Sequence, residues 1–325
     1  MLCVLFAGFF LLEGFDYGTG ILLPVIGKTD VERRQMINAL GPIWDGNEVW
    51  MITAGGALFA SFPHVYATLF SGFYMALFLM LAVLIMRGVA FEFRSKSPNR
   101  TWRKVFDYCI FIGSIVPALL WGVTVGNLIQ GTPIDETMTY VGTFWDLLSP
   151  YTVLCGVAFI LVFTYHGGLF TSLKTAGPVS ERARAAALVT GVPTAIGVIA
   201  LIIASYVCTD LYNSTLAIVF CALAVVCFLI SWGATRTRNT KWGFLFSSLS
   251  IILITATYFA GLFPRIMVSS LNPAWSLTIT NTSSSEYTLA LMTAVAAVFV
   301  PIVLAYQIWV YWIFRHRVTE KDLHY

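Results

Sequence analysis

Charge is scarce in this chain. Asp, Glu, Lys and Arg make up 11% of 325 residues, against 58% hydrophobic residues and a mean hydropathy of +0.81. Soluble domains usually carry about 25% charged residues, so the shortage excludes a soluble globular chain and leaves a polytopic membrane protein. The net charge of +3 is too small to suggest a nucleic-acid partner. Cysteine motifs are also missing. The six cysteines fall in or beside apolar runs with no C-x-x-C among them, which removes support for disulfide scaffolds, zinc sites and covalent haem attachment. Gly18-Thr19-Gly20 alone makes no phosphate loop. No periodic repeat is visible, and no loop is long enough to form a soluble domain.

Long apolar runs fill the space that charge leaves. A hydrocarbon core of about 30 Å needs about 20 residues of helix, and such runs occur near 2–23, 65–90, 106–130, 151–173, 183–207, 214–234, 243–264 and 288–314. The predicted fold is all-α, with about eight transmembrane helices in two four-helix bundles divided near 176–181. The first bundle then spans 1–175 and the second 176–325. The stretch 47–61 is too short to cross and is predicted as a short outer half-helix. With eight spans, the inner loops hold Arg87 and every later basic residue except Arg265, while Lys28, Arg33, Arg34 and Arg265 lie outside. The positive-inside rule then places both termini in the cytoplasm. The first run lacks a basic n-region, and Glu13 interrupts it, so a cleaved signal peptide is not expected.

Against this apolar background the acids stand out. Glu13 and Asp16 sit inside the first run, where a charge at mid-bilayer costs about 2.5–3.5 kcal/mol. Three apart, they share a helix face. Two carboxylates so close in a low dielectric do not readily both ionise, which suits proton handling. A structural pair hydrogen-bonded to neighbouring helices is the alternative. Asp45 and Glu48 repeat the spacing in Trp44-Asp45-Gly46-Asn47-Glu48-Val49-Trp50, where helix capping competes with function. Both acid pairs fall on the outer side of this topology and could share one polar pocket. Of the four histidines, His316 and His324 lie in the tail, and His64 and His166 are placed at different depths, a poor arrangement for ligating one iron from two sides, which leaves a single axial histidine as the remaining haem reading.

The motifs Gly14-Phe15-Asp16-Tyr17-Gly18, Glu32-Arg33-Arg34-Gln35-Met36-Ile37-Asn38, Trp44 to Trp50, and Ile52-Thr53-Ala54-Gly55-Gly56-Ala57 resemble subunit II of cytochrome bd-type quinol oxidases. The resemblance continues through Phe93-Arg94-Ser95-Lys96, Gly126-Asn127-Leu128-Ile129-Gln130-Gly131 and Phe246-Ser247-Ser248-Leu249. It implies a haem-free subunit in the prokaryotic cytoplasmic membrane. A larger subunit I would hold two b-type haems and one haem d, and the complex would oxidise quinol and reduce dioxygen to water. No complete active site is expected in this chain and no cofactor is expected to bind to it alone. It would support the haem d region and contribute to proton or oxygen routes. Lipids, quinone and a small single-helix accessory subunit are further implied partners.

By position, Asp45, Asp16 and Glu13 match acidic family positions tied to proton access or polar contacts, and Glu48 joins them as a polar-pocket candidate. Trp50 and Trp44 are candidates for oxygen access or the subunit interface, and Arg87 for a basic position at the inner end of the second span. Asp45 leads, because its motif is the most specific. A proton- or ion-coupled transporter using the intramembrane carboxylates is the competing reading. Such folds pair discontinuous helices in two repeats, and the half-helix has no counterpart here.

Overall fold

Hydrocarbon offers no water to satisfy peptide groups, so the apolar runs must close their hydrogen bonds internally as helices. The computed structural model describes residues 1–323. Within them the α-helices are α1 (Leu2–Ile26), α2 (Asp30–Leu40), α3 (Trp44–Ser61), α4 (Pro63–Gly72), α5 (Tyr74–Phe93), α6 (Arg100–Gln130), α7 (Pro150–Lys174), α8 (Pro178–Cys208), α9 (Thr215–Arg236), α10 (Thr240–Leu262) and α11 (Glu286–Ile313). Eight of these, α1 and α5 to α11, are long and apolar enough to cross a membrane. Hydropathy therefore marks the eight apolar runs that were predicted, although the run expected at 65–90 divides. It breaks at Gly72-Phe73 into α4 and α5, with Gly72 packed against the Tyr140 ring and Thr68 donating to the Met138 carbonyl at 2.5 Å.

Local chemistry fixes the boundaries. Thr29 and Glu32 form a reciprocal capping box at α2, satisfying donors that a helix start leaves free. Asn99 accepts from the Thr101 and Trp102 N–H groups at α6, and Ser149 caps α7 ahead of Pro150. Gly131, at φ 105°, turns the chain out of α6 in a conformation open to glycine. The chain then joins a cap of loops, where β1 (Arg265–Met267) pairs antiparallel with β2 (Leu277–Thr278). Thr132 and Ser270 fasten this cap through mutual backbone bonds with Val268 and Thr132.

α1 is the central helix, packed against α7, α6, α3 and α10. Its closest approach is to α7, where a Cβ on Gly18 would enter the Phe163 carbonyl and one on Gly167 would enter the Gly18–Thr19 backbone. Small residues let helix backbones approach in this way, and Thr19 and Thr171 hydroxyls join across the contact at 3.0 Å. Above it, Trp121 sits edge-on to Phe9 and Phe10 at 5.1 and 5.9 Å. α11 differs from the rest: no residue of it is buried, and it lies antiparallel to α3.

Helix directions overturn part of the sequence reading. Met1 lines a cavity with Leu262, Phe263 and Leu289, beside the ends of α10 and the start of α11. The far end of α11 meets the end of α7, where Lys174 donates to the Phe314 carbonyl and Val318 to the Lys174 carbonyl. α1 and α7 run parallel, so Met1 and Leu323 lie at opposite ends of the bundle, whereas both termini were predicted on one face. The cause is α3. Expected as an outer half-helix near 47–61, it has 18 residues, about 27 Å by helix rise. Trp44 packs on Phe91 at the close of α5, whereas Ser61 accepts from Ser284 at the loop cap. α3 therefore runs nearly the length of a span, and its extra crossing reverses the sense of α1. Lys28, Arg33 and Arg34 move with it. Of 19 lysines and arginines, only Arg265 belongs to the loop-capped end.

Candidate functional site

One buried guanidinium organises the acids of the first span. Arg87, on α5, is fully buried. Its aliphatic stem passes over Gly113 of α6, where a Cβ would stand 2.5 Å from the Arg87 Cβ. Its Nη1 donates to Glu13 Oε1 at 2.5 Å and to Glu48 Oε1 at 3.0 Å. The guanidinium carbon also lies over the Tyr17 and Phe91 rings, 4.9 and 5.3 Å from their centroids, a favourable placement for a desolvated cation. Glu13 is wholly buried, while the Glu48 side chain is 23% exposed. The cluster thus opens at Glu48 and closes at Glu13.

Asp16 is reached from a different side. Its Oδ2 accepts from Asn47 Nδ2 at 2.7 Å, and Asn47 Oδ1 accepts from Gln307 Nε2 at 3.0 Å and the Tyr311 hydroxyl at 2.9 Å. Helices α1, α3, α5 and α11 thereby converge on one polar chamber. Glu13 Oε2, Asp16 Oδ1 and Arg87 Nε and Nη2 have no protein partner there. Buried polar atoms are seldom left bare, and of these four two are carboxylate acceptors and two are guanidinium donors.

A second ionic knot lies at the basic end. Arg94 donates to Asp107 at 2.6 Å and to Asp30 at 3.0 Å, Arg33 donates to Asp107 at 2.7 Å, and Arg103 to Asp30 at 2.7 Å. It fastens α2 to the turn between α5 and α6. Both Arg94 and Asp107 are buried, and the alternation of charge explains how they can be.

The structure sets Glu13 and Glu48 on one guanidinium and Asp16 on Asn47, and that guanidinium belongs to Arg87, which the sequence topology had set at the opposite membrane face. Asp45 stands one turn before Glu48 on the exposed face of α3, with Trp44 half-buried and Trp50 buried against Gly8 of α1. Sequence reasoning weighed Asn47 as a helix cap against a functional role and missed Gln307 and Tyr311. A lone glutamine within the apolar α11 was the available signal, since a buried amide in lipid needs a partner. His166 has neither ring nitrogen free for iron: Nδ1 faces the Ser247 hydroxyl at 2.9 Å and Nε2 the Leu11 carbonyl at 3.2 Å. His64 is exposed, and His324 lies outside the described residues. Among the described residues no group of three His, Cys, Asp or Glu is arranged to hold a metal ion.

A family model described as cytochrome bd terminal oxidase subunit II matches residues 1–314. The chain is 40% identical over 324 residues to cytochrome bd ubiquinol oxidase subunit 2 of Bacillus subtilis, covering 99% of this chain and 96% of that one. It is likewise 40% identical over 355 residues to cytochrome bd-I ubiquinol oxidase subunit 2 of Escherichia coli K12, covering 98% and 94%. The fold matches a chain of the bd oxidase structure from Geobacillus thermodenitrificans with a TM-score of 0.76 over 96% of each chain, at 16% identity.

Proposed function

The chain belongs to the cytochrome bd terminal oxidase subunit II family, and from that premise we propose that its buried acid chamber carries protons toward the haem-bearing subunit of a quinol-oxidising, dioxygen-reducing complex. As a member of the family it is a subunit of an oxidoreductase complex, and the comparisons give the transporter reading no support. The observation that carries the proton reading is the set of three carboxylates, Glu13, Asp16 and Glu48, around the single guanidinium of Arg87. Fully ionised, that set would hold excess negative charge in a medium that penalises it. A proton shared among the acids relieves the excess, and the unpartnered oxygens give it somewhere to move.

Asp45 and Glu48 form the mouth of this path on α3, and Glu13 and Asp16 its interior. The basic end faces the cytoplasm under the positive-inside rule, so the mouth draws from the cytoplasmic side of a prokaryotic cell membrane. The haems, two of b type and one of d type, reside in subunit I. This subunit supports the haem d region, with the exposed face of α3 that carries Asp45 turned toward its partner. Quinone, lipids and a single-helix accessory subunit complete the proposed surroundings.

The test uses the assembled complex purified from membranes. Asp45→Asn and Glu13→Gln are expected to lower quinol-driven oxygen consumption about a hundredfold or more, the scale of losing a positioned proton-transfer group, with the haem d absorbance band retained. Parental turnover in both variants would exclude the proton reading.

A further inference from the structure

α11 is a helix of 28 residues with none of them buried, yet it places two hydrogen-bond donors on one oxygen deep in the chamber. Gln307 and Tyr311 are one turn apart, so they share a face of α11, and both donate to Asn47 Oδ1. A carboxamide is polar at both ends. With its oxygen taken up by two donors, its NH₂ is the end left for Asp16, at 2.7 Å from Oδ2. Turning the amide over would set its oxygen against a carboxylate oxygen and its NH₂ against the Gln307 NH₂. Both contacts would then be unfavourable.

We infer that Gln307 and Tyr311 are positioning residues: through Asn47 they hold one amide orientation and so fix the hydrogen bond that Asp16 receives. Asn47 is fully buried, so no water substitutes for the two donors at its oxygen without opening the contact between α3 and α11. Either donor alone biases the amide the same way. Removing both releases it, and Asp16 then loses a donor aimed at its carboxylate. The inference rests on the reading of the chamber as a proton path, and it adds a control on that path from the last helix of the chain.

The experiment is a cycle of Gln307→Leu, Tyr311→Phe and the double variant in the purified complex, beside Asp16→Asn and Asn47→Leu. Turnover with quinol is measured across pH, together with haem content and the ratio of the two large subunits. Each single variant is expected to lose about twofold, and the double variant about tenfold, more than the product of the singles, as residues sharing one partner do. Its pH profile is expected to shift from the parental one, because Asp16 titrates in the company of Glu13 on its own helix, Glu48 on α3, Arg87 on α5 and Tyr311 on α11. Adding the double change to Asn47→Leu should cost nothing further.

If Asp16→Asn keeps parental turnover, the proton reading of the chamber falls and this inference with it. If Asp16→Asn loses turnover but the double variant equals the product of its singles with an unmoved pH profile, only the positioning role of α11 is overturned. Loss of haem or of the partner subunit in the double variant, with turnover per haem unchanged, also overturns it, since α11 would then be an anchor.

Discussion

At the scale of single residues, Arg87 governs the site because it is the one cation inside a group of acids. An ion pair withdrawn from water is held by geometry and further hydrogen bonds, and deleting one member strands the other. Arg87→Met should therefore destabilise the chain by about 3–5 kcal/mol, the range for breaking a buried pair. Glu13→Gln, which keeps an oxygen for the Arg87 Nη1 donor, should cost far less. Thermal unfolding of the detergent-solubilised complex, followed by haem release, checks the order. Equal losses in the two variants would mean that the guanidinium is held by its contacts with Tyr17 and Phe91 more than by Glu13. The acids themselves were legible in the sequence, since two carboxylates in an apolar run must be explained. Arg87 was legible only as a basic residue near a helix end. Nothing local says that a side chain 74 positions from Glu13 turns inward to meet it.

At the scale of elements, the small α2 decides how the crossing helices are tied at the basic end. Glu32 accepts from the Lys28 and Thr29 N–H groups at 2.8 and 3.0 Å and pairs with Arg182 of α8 at 2.5 Å. Partial burial works against its charge, but the Arg182 guanidinium and the two backbone donors outweigh it and hold the carboxyl below its ordinary value of 4.5. The sign follows from that depression. Its contribution is complete above about pH 4.5 and is lost as the pH falls through the lower folded value. Glu32→Ala should cost about 1 kcal/mol at pH 7, the usual scale of a lost cap, and the difference from the parent should vanish in acid. Unfolding midpoints at pH 7 and in acid measure both. The Thr29–Glu32 capping box went unread although its spacing is local, and the ion pair to Arg182 was not legible at all, because it joins elements 150 positions apart.

At the scale of the whole molecule, one helix sets the topology. Eight apolar runs were plain in the sequence, because hydropathy reports them directly. α3 was not, because Asp45, Glu48 and Asn47 lower its apolar content and its glycines blur its length. Treating it as a half-helix kept Lys28 on the side of Ser283. The structure separates them, with Lys28 beside α2 and Ser283 in the loop cap next to the end of α3. The charge pattern agrees with the structure, since the revised order leaves Arg265 alone at the loop-capped end, a cleaner asymmetry than the eight-span count gives. In a variant freed of its native cysteines, Ser283→Cys should react with a membrane-impermeant maleimide added to intact spheroplasts, and Lys28→Cys only after permeabilisation. Both positions are exposed on the chain, so burial does not mimic the result. Labelling of both from outside would return α3 to a half-helix and place the acid chamber at the outer face. Protection of Lys28→Cys would fix its mouth at the cytoplasmic face.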